Sequence, residues 1–244
     1  RLLGHADAVI DRQFAAMPDE SFLRFRPEQL VWQAASLVEV RKGGTLVKVR
    51  RITPESDALE VFVHSPDRDG LFAAIVMTLD RAGYGIHRAR VLDGPDDTIF
   101  DTFEVTPAVN FADGDTARLE AALRKALAGN IQILRPARRV MPRQLKHFRF
   151  APRIEFIEST HADRTLLNLV APDRPGLLAD VAHVLRDQQL RVQDARIATF
   201  GERAEDQFQL TDRHDQPLTE SSRQALREAL LASLEPEKTP GDPH

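Results

Sequence analysis

VFVHSPDRDGLFA, residues 61–73, aligns without a gap on LNLVAPDRPGLLA, residues 167–179, when the sequence is shifted by 106 residues. After a one-residue slip, DTFEVT (101–106) falls on DQFQLT (206–211). Agreement at one spacing over roughly fifty positions indicates an internal repeat, the sequence signature of a structural unit that occurs twice. This repeat decides the fold.

Each repeat contains the same order of predicted elements. Apolar residues alternate along 59–63, which predicts a half-buried strand, and an amphipathic helix follows. Two strands come next, at 86–92 and 98–105, and correspond to 192–199 and 204–211 in the second repeat. A second helix closes each unit. The order βαββα is one strand short of the ferredoxin-like βαββαβ sandwich.

The missing strand is predicted to come from the front of each repeat. TLVKVRRI (45–52) and RIEFIES (153–159) each precede the first strand and are separated from it by a short polar turn, so each pair is predicted to form a hairpin. A strand supplied in this way fills the place beside the first strand that the last strand normally takes. The alternative is that 153–159 ends the first repeat after a long crossover. We prefer the hairpin, because no strand-like sequence follows Leu234.

The sequence therefore predicts an α+β fold: two tandem ferredoxin-like βαββα modules, each with a preceding hairpin strand in the fourth-strand place, after a short helical lead-in. Module one covers residues 44–129, module two covers 153–235, and the lead-in covers 1–40. The lead-in is predicted to contain two helices, with a break at Met17-Pro18-Asp19 and a new start near Pro27. These helices are expected to pack on the modules or on a segment upstream.

Two further segments are predicted to lie outside the modules. Residues 130–152 form a basic linker, and 236–244 form a disordered tail. The run RPARRVMPRQLKHFRFAPR (135–153) contains seven Arg or Lys and no acid. A solvated linker held by Leu145 and Phe148 is the simpler interpretation. The alternative is a contact surface for an acidic partner or a neighbouring domain.

Composition argues against several classes of function. The chain has 244 residues, 42% hydrophobic and 29% charged, which is ordinary for a folded protein. A formal net charge of −4 argues against a nucleic-acid or membrane binder that depends on bulk charge. The sequence has no cysteine, hence no disulfide or thiolate site, and no apolar run of about 18 residues to span a membrane. Because no signal-peptide pattern opens the sequence, a cytoplasmic location is expected.

The loop between the first strand and the first helix of each module is the candidate ligand site. In module two it consists of Asp173, Arg174, Pro175, Gly176, Leu177 and Leu178, and in module one its weaker counterpart contains Asp67, Asp69, Gly70 and Leu71. N–H groups at a helix start favour an anion such as a free carboxylate, and a nearby aspartate can receive an ammonium group. The loop therefore suits an amino-acid zwitterion. The alternative is that the aspartate merely caps the helix.

These loops resemble those of the ACT domain, a small-molecule-binding module of amino-acid metabolism. Further motifs are SPDRDGLFAA (65–74), DTFEV (101–105), PRQLKHF (142–148), APDRPGLLADV (171–181) and GERAEDQFQLTD (201–212). Their order behind a helical lead-in is similar to the C-terminal part of the bifunctional PII uridylyltransferase/uridylyl-removing enzyme family. The resemblance covers nearly the whole chain. It implies two ACT domains that sense glutamine, downstream of a nucleotidyltransferase domain and an HD phosphohydrolase domain.

For this chain the resemblance implies a regulatory role without catalysis. Residues 1–40 would be the end of the HD region, so the catalytic domains are expected upstream in a longer protein. The family's catalytic motifs match nothing in the sequence. No cofactor is therefore expected in this chain, whereas Mg is expected in the catalytic domains. The expected partners are glutamine as effector and the PII protein as substrate of the parent enzyme.

Module one departs from module two at one position of the loop. Asp69 stands where module two has Pro175. An aspartate in the first turn suits the helix dipole, but it would also repel a ligand carboxylate and compete for the same N–H groups. Module two is therefore predicted to hold the better amino-acid site.

Two other functions remain possible from the sequence. One is a stand-alone amino-acid sensor built of ACT modules. The other is a ferredoxin-like RNA-binding module, in which bases would stack on strand aromatics such as Phe62, Phe100, Phe103 and Phe208. The segment IFDTFEV (99–105) is acidic and lacks the glycine of the RNA-binding signature, so nucleic acid is the less favoured ligand.

Overall fold

The computed structural model describes residues 11–15, 17–40, 43–108, 115–128, 150–157 and 163–234. Within these ranges, residues 11–15 are helical and the helices with defined bounds are α1 (Asp19–Arg24), α2 (Pro27–Leu37), α3 (Leu71–Arg81), α4 (Asp115–Leu127), α5 (Leu177–Asp187) and α6 (Glu220–Leu234). The strands are β1 (Leu46–Arg51), β2 (Leu59–Pro66), β3 (Tyr84–Val91), β4 (Asp93–Gly94), β5 (Thr98–Pro107), β6 (Arg153–Ile157), β7 (Thr165–Pro172), β8 (Arg191–Phe200) and β9 (Arg203–Thr211).

One antiparallel sheet runs through both modules. Its strands lie in the order β1-β2-β5-β3-β8-β9-β7-β6, and β4 pairs with β5. Each module therefore places its hairpin strand at the outer edge and its third strand at the centre. Strands β3 and β8 join the modules through two residue pairs, Arg90 with Arg196 and Val91 with Ala195. Like charges directly opposite each other weaken strand pairing, so this seam depends on other contacts for its stability.

Four helices cover one face of the sheet. α3 contacts α4 on one side and α5 on the other, and α5 contacts α6, so the helical layer also continues from one module to the next. The ring of Phe72 on α3 lies 6.4 Å from that of Phe103 and 6.4 Å from that of Phe208, which belongs to module two. The modules therefore share one hydrophobic core.

The lead-in covers the other face of module one. The buried apolar residues of this second core are Met17, Phe25, Leu30, Ala34, Leu37, Leu46, Phe62, Leu92 and Phe100. Gln29 on α2 donates a hydrogen bond to the buried Glu60, and Gln33 donates one to Thr102 at 3.0 Å. These polar contacts fix the position of α2 on the sheet. The lead-in thus packs on the modules, one of its two expected environments.

The predicted fold class is confirmed. β1 pairs with β2 and β6 pairs with β7, both antiparallel, as the hairpin prediction requires. The predicted break at Met17-Pro18-Asp19 is present, because Met17 and Pro18 are not helical, but the prediction misses the short helix α1, which begins directly after Pro18. Proline is tolerated at a helix start, and the acidic Asp19 and Glu20 suit the positive end of the helix dipole.

Three predicted segments fall outside the described residues: the first part of the opening helix (1–10), nearly all of the basic linker (130–152) and the tail (236–244). Within the described ranges, no helix combines the length and the apolar character that crossing a membrane requires.

Candidate ligand site

Loop one (residues 67–70) and loop two (residues 173–176) connect β2 to α3 and β7 to α5. A backbone hydrogen bond holds the first residue of each loop. The N–H of Asp67 donates to the carbonyl of Asp97 at 2.7 Å, and the N–H of Asp173 donates to the carbonyl of Glu202 at 2.9 Å. The two modules therefore share the backbone arrangement of the loop as well as its sequence.

A glycine ends each loop because the backbone there is left-handed. Gly70 has φ 78° and ψ 8°, and Gly176 has φ 83° and ψ 0°, a region that glycine adopts without steric penalty. Among the described residues, neither helix start is capped by a side-chain hydrogen bond. The carboxyl group of Asp173 instead accepts the N–H of Arg174. Helix capping therefore does not explain the presence of Asp173 in loop two.

Loop one faces module two. Asp67 forms an ion pair with Arg191 at the start of β8, and the same guanidinium group bonds Asp215 at 2.8 Å. A Cβ atom placed on Gly70 would lie 3.8 Å from Cγ and Cδ of Arg186 on α5. Loop one is therefore part of the interface between the modules.

A cavity of about 40 Å³ lies in this interface, between loop one, α5 and the start of β8. Its charged lining residues are Asp67, Arg68, Asp69, Asp101, Arg186 and Arg191. Acids and arginines are thus balanced around one small space, which suits a ligand that carries both charges. The volume is enough for roughly three water molecules, since one needs about 10–15 Å³ on this measure.

Loop two lies near the strand β3 of module one. Burial raises the pKa of the Asp173 carboxyl, and the nearby His87 on β3 and the N–H of Arg174 act against this rise. Arg174 bonds Asp180 on α5 at 2.5 Å, so its charge is neutralised within module two. The charged groups around the two loops are therefore different.

The remaining predicted site residues divide into two groups. Leu71, Leu177 and Leu178 are buried in the hydrophobic core, where they fix the start of α3 or α5 on the sheet. Asp69 and Pro175, which occupy equivalent positions, are both exposed. The carboxylate of Asp69 acts electrostatically on Arg191, so part of its charge is compensated across the interface.

Sequence reasoning misses four charged residues that the fold brings near these loops. Asp101 and Asp206, which align in the repeat, are both buried, and Arg186 and Arg191 reach loop one from module two. A signal for the two acids exists, because an aspartate stands twice among the inward-facing positions of the same strand. The arginines have no such signal, since the other module supplies them.

A second cavity, of about 500 Å³, lies where the lead-in meets both modules. Arg24 on α1 bonds Asp194 on β8 at 2.6 Å, and Arg164 lies 3.3 Å from Asp93. Over the part of the chain that the structure describes, no three His, Cys, Asp or Glu residues are grouped to hold a metal ion. The ion pair between Arg24 and Asp194 places the lead-in in direct contact with module two.

The aromatic residues considered for base stacking are buried. Phe62, Phe103 and Phe208 are 0% exposed and Phe100 is 3% exposed. Stacking on a base requires an accessible ring face. The RNA-binding alternative therefore loses the residues on which it depended.

Residues 165–230 match the ACT domain family. Over 233 residues, 96% of its length, the chain is 74% identical to the bifunctional uridylyltransferase/uridylyl-removing enzyme of Xanthomonas axonopodis pv. citri (strain 306). Over 235 residues, 93% of its length, it is 34% identical to the enzyme of the same name from Stutzerimonas stutzeri (strain A1501). Among solved structures, an aspartate kinase from Synechocystis is similar, with a TM-score of 0.43 and 17% identity over 75% of this chain and 30% of that chain.

The chain spans about a quarter of these enzymes, 27% of the first and 26% of the second. The ACT match falls in module two, and module one repeats the same order of elements ahead of it. Over nearly its whole length, the chain therefore corresponds to one ACT-containing part of the bifunctional uridylyltransferase/uridylyl-removing enzymes, in agreement with the C-terminal regulatory part that its motifs predicted.

Proposed function

We propose that this chain is the glutamine-sensing regulatory region of an enzyme that attaches uridylyl groups to the PII protein and removes them. The name of its relatives, which states both reactions, and the ACT match support this proposal. The parent enzyme would act in the cytoplasm, with PII as its protein substrate. Glutamine bound to this region would change the activity of the catalytic domains.

The observation that carries the proposal is the position of loop one at the interface between the modules. A ligand shifts a conformational equilibrium only if it contacts the two states differently. A ligand at this interface would meet both modules, so its binding would depend on how they sit together. The strand pairing between the modules consists of two residue pairs, one of them Arg90 with Arg196, so the shared core and the helix contacts, rather than the sheet, resist a small displacement.

The charged residues that the other module places beside each loop favour loop one as the amino-acid site. Under the 106-residue shift, Arg186 aligns with Asp80 and Arg191 aligns with Gly85. The two cations beside loop one are therefore replaced by an acid and a glycine at the equivalent positions of module one. Arginine is the side chain best suited to bind a carboxylate.

The loop sequences themselves favour loop two, because Pro175 replaces the acidic Asp69 there. The two loops are thus rival amino-acid sites within one proposal. Matched variants of each loop decide between them.

Calorimetric titration of the 244-residue chain with a panel of amino acids tests the proposal. We expect L-glutamine to bind, and to bind more tightly than the other amino acids. A single-stranded oligonucleotide serves as the control for the RNA-binding alternative. Tight binding of the oligonucleotide, with no amino acid bound, would reverse the conclusion.

The regulatory role requires a second measurement on the whole enzyme. We expect the rates of uridylyl transfer and uridylyl removal to respond to glutamine, and a loop variant that abolishes binding in this chain to abolish the response. Glutamine binding without any effect on either rate would favour a sensor that acts on another partner.

A further inference from the structure

Two buried aspartates occupy the same place in the two modules. Asp101 on β5 is 1% exposed and Asp206 on β9 is 2% exposed. Each carboxyl group accepts one backbone N–H, from Leu92 or from Ala198, which are themselves equivalent in the repeat. In each, the atom Oδ1 finds no hydrogen-bond partner among the described residues.

Such an arrangement is unfavourable for folding. A buried polar atom without a partner destabilises the folded state, and more so if the group is charged. Burial raises the pKa of Asp101 well above its usual range, and the nearby Asp67 and Asp93 raise it further while the N–H of Leu92 opposes them. A buried acid with a free oxygen at a cavity is a candidate functional group.

Asp101 lines the interface cavity. Arg186 lines the same cavity and also has a buried side-chain atom without a hydrogen-bond partner among the described residues. Arg186 on α5 directs Nη2 to His183 at 3.0 Å and to Asp187 at 2.5 Å. Its other terminal nitrogen, Nη1, is buried and has no hydrogen-bond partner within the described ranges. The residues that line this cavity therefore include an acceptor atom, on Asp101, and a donor atom, on Arg186, that lack hydrogen-bond partners within the described ranges.

We propose that Asp101 binds the ammonium group of an α-amino acid in the cavity beneath loop one, and that Nη1 of Arg186 binds the carboxylate of the same ligand. This inference rests on the proposed function and assigns its two recognition residues. Burial and the nearby Asp67 and Asp93 raise the pKa of the Asp101 carboxyl, which favours its protonated form while no ligand is bound. When the ammonium group arrives, the carboxyl releases its proton to solvent and the two groups form an ion pair.

The other charged groups around the cavity have partners of their own. Asp67 is paired with Arg191, and Asp69 interacts with the same guanidinium group. The groups that face Asp101 from the surrounding elements are Asp67, Arg68 and Asp69 on loop one, Asp93 on β4, Arg186 on α5 and Arg191 on β8. Asp93 lies 3.3 Å from Arg164, and Arg68 donates to the carbonyl of Leu127 at 2.8 Å. Asp101 is the buried acid that a ligand cation can satisfy.

The size of the cavity adds a consequence for regulation. A space of about 40 Å³ holds roughly three water molecules. A ligand larger than this that binds between loop one and α5 pushes them apart. Because loop one belongs to module one and α5 to module two, such a displacement moves the modules relative to each other.

The test compares two ligands and three proteins by calorimetry. L-glutamine carries the ammonium group, and glutaramate is the same molecule without it. The proteins are the unaltered chain, Asp101→Asn, and Asp206→Asn as the matched control. We expect the unaltered chain to prefer glutamine by roughly tenfold or more, the usual effect of a charge-assisted hydrogen bond. The preference should fall close to one in Asp101→Asn and persist in Asp206→Asn.

Each other outcome has a distinct meaning. If the unaltered chain binds neither ligand, the proposed function itself fails. If it prefers glutamine and Asp101→Asn keeps that preference, Asp101 does not meet the ammonium group. If Asp206→Asn alone loses the preference, the acid of module two is the recognition residue and the assignment to module one is overturned.

If Asp101→Asn fails to fold, a second measurement on the unaltered chain tests the inference. Glutamine binding to the unaltered chain, measured at mildly acidic pH in buffers with different ionisation enthalpies, gives the number of protons exchanged. We expect the release of up to about one proton for each glutamine bound, because a raised pKa keeps Asp101 protonated until the ion pair forms. No release of protons would overturn the inference.

Discussion

Loop one and loop two have the same backbone but different neighbours. Each ends at a left-handed glycine, and each starts with an N–H bonded to a carbonyl on the neighbouring turn. Loop one, however, meets Arg186 and Arg191 of the other module, whereas the side chain of the other module that acts on Asp173 of loop two is His87. A repeat determines what each module contributes from its own sequence. It does not determine what the partner module contributes, so two nearly identical loops can differ in what they bind.

The largest expected effect concerns the buried acid of module two. Burial raises the pKa of Asp206 from 3.8 to about 7, the N–H of Ala198 opposes the rise and Asp173 adds to it. Because the folded state holds this proton more tightly than the unfolded state, the group stabilises fully below pH 3.8. Its contribution is lost as the pH rises through about 7. The difference between the two pKa values corresponds to roughly 4 kcal/mol.

Asp206→Asn removes this ionisation but keeps an oxygen that can accept the N–H of Ala198. We expect the free energy of unfolding, measured with urea at pH values from about 4 to 8, to fall less steeply with pH in this variant. Asp101→Asn should act in the same direction, since the two acids occupy equivalent positions. Parallel pH profiles for the unaltered chain and both variants would mean that these acids ionise as freely in the folded chain as in the unfolded one.

The loop glycines are expected to give the next largest effect, and an equal one in the two modules. A residue with a Cβ atom in the left-handed region costs about 1–2 kcal/mol. Gly70→Ala and Gly176→Ala should therefore each lower the free energy of unfolding by that amount in urea denaturation. Gly85→Ala is the control, because Gly85 has no positive φ and an added Cβ would stay 3.8 Å from the nearest atom, in His87. A loop variant as stable as the control would contradict the left-handed backbone.

The smallest effect distinguishes the two loop aspartates. Asp67→Asn breaks the ion pair with Arg191. The side chain of Asp67 is 28% exposed and that of Arg191 is 29% exposed. A pair that is open to solvent to this degree contributes about 0.2–1 kcal/mol. Asp173 forms no ion pair within the described residues, and burial already raises its pKa, so Asp173→Asn should leave stability unchanged or raise it slightly.

Thermal unfolding at neutral pH compares these two variants directly. We expect a lower melting temperature for Asp67→Asn than for Asp173→Asn. Equal losses in the two modules would show that the ion pair to Arg191 does not distinguish loop one from loop two.

Most of the fold is predictable because its signals are local. The strand predicted at 98–105 is β5, at Thr98–Pro107, and the helix predicted near Pro27 begins there. The alternation of apolar residues reflects burial on one face, which the sequence displays directly. The hairpin strand is also predictable, since a short polar turn joins it to its partner.

The parts that sequence does not reveal depend on distant residues. The pairing of β3 with β8 joins two sheet edges, and nothing in either strand specifies the other. The positions of Arg186 and Arg191 beside loop one follow from that pairing. The left-handed backbone of Gly176 is hidden as well, because glycine adopts either sign of φ readily.

The most direct test is to locate the bound amino acid by NMR, following the backbone amide signals of the isotope-labelled chain during a titration with L-glutamine. A ligand at the interface contacts both modules, so the signals of Gly70 and of Leu185 and Arg186 on α5 should move together and saturate at the same concentration. Movement of Gly176 with His87 instead would place the ligand at loop two. If calorimetry reports binding while neither loop responds, the ligand is not bound at the interface between the modules.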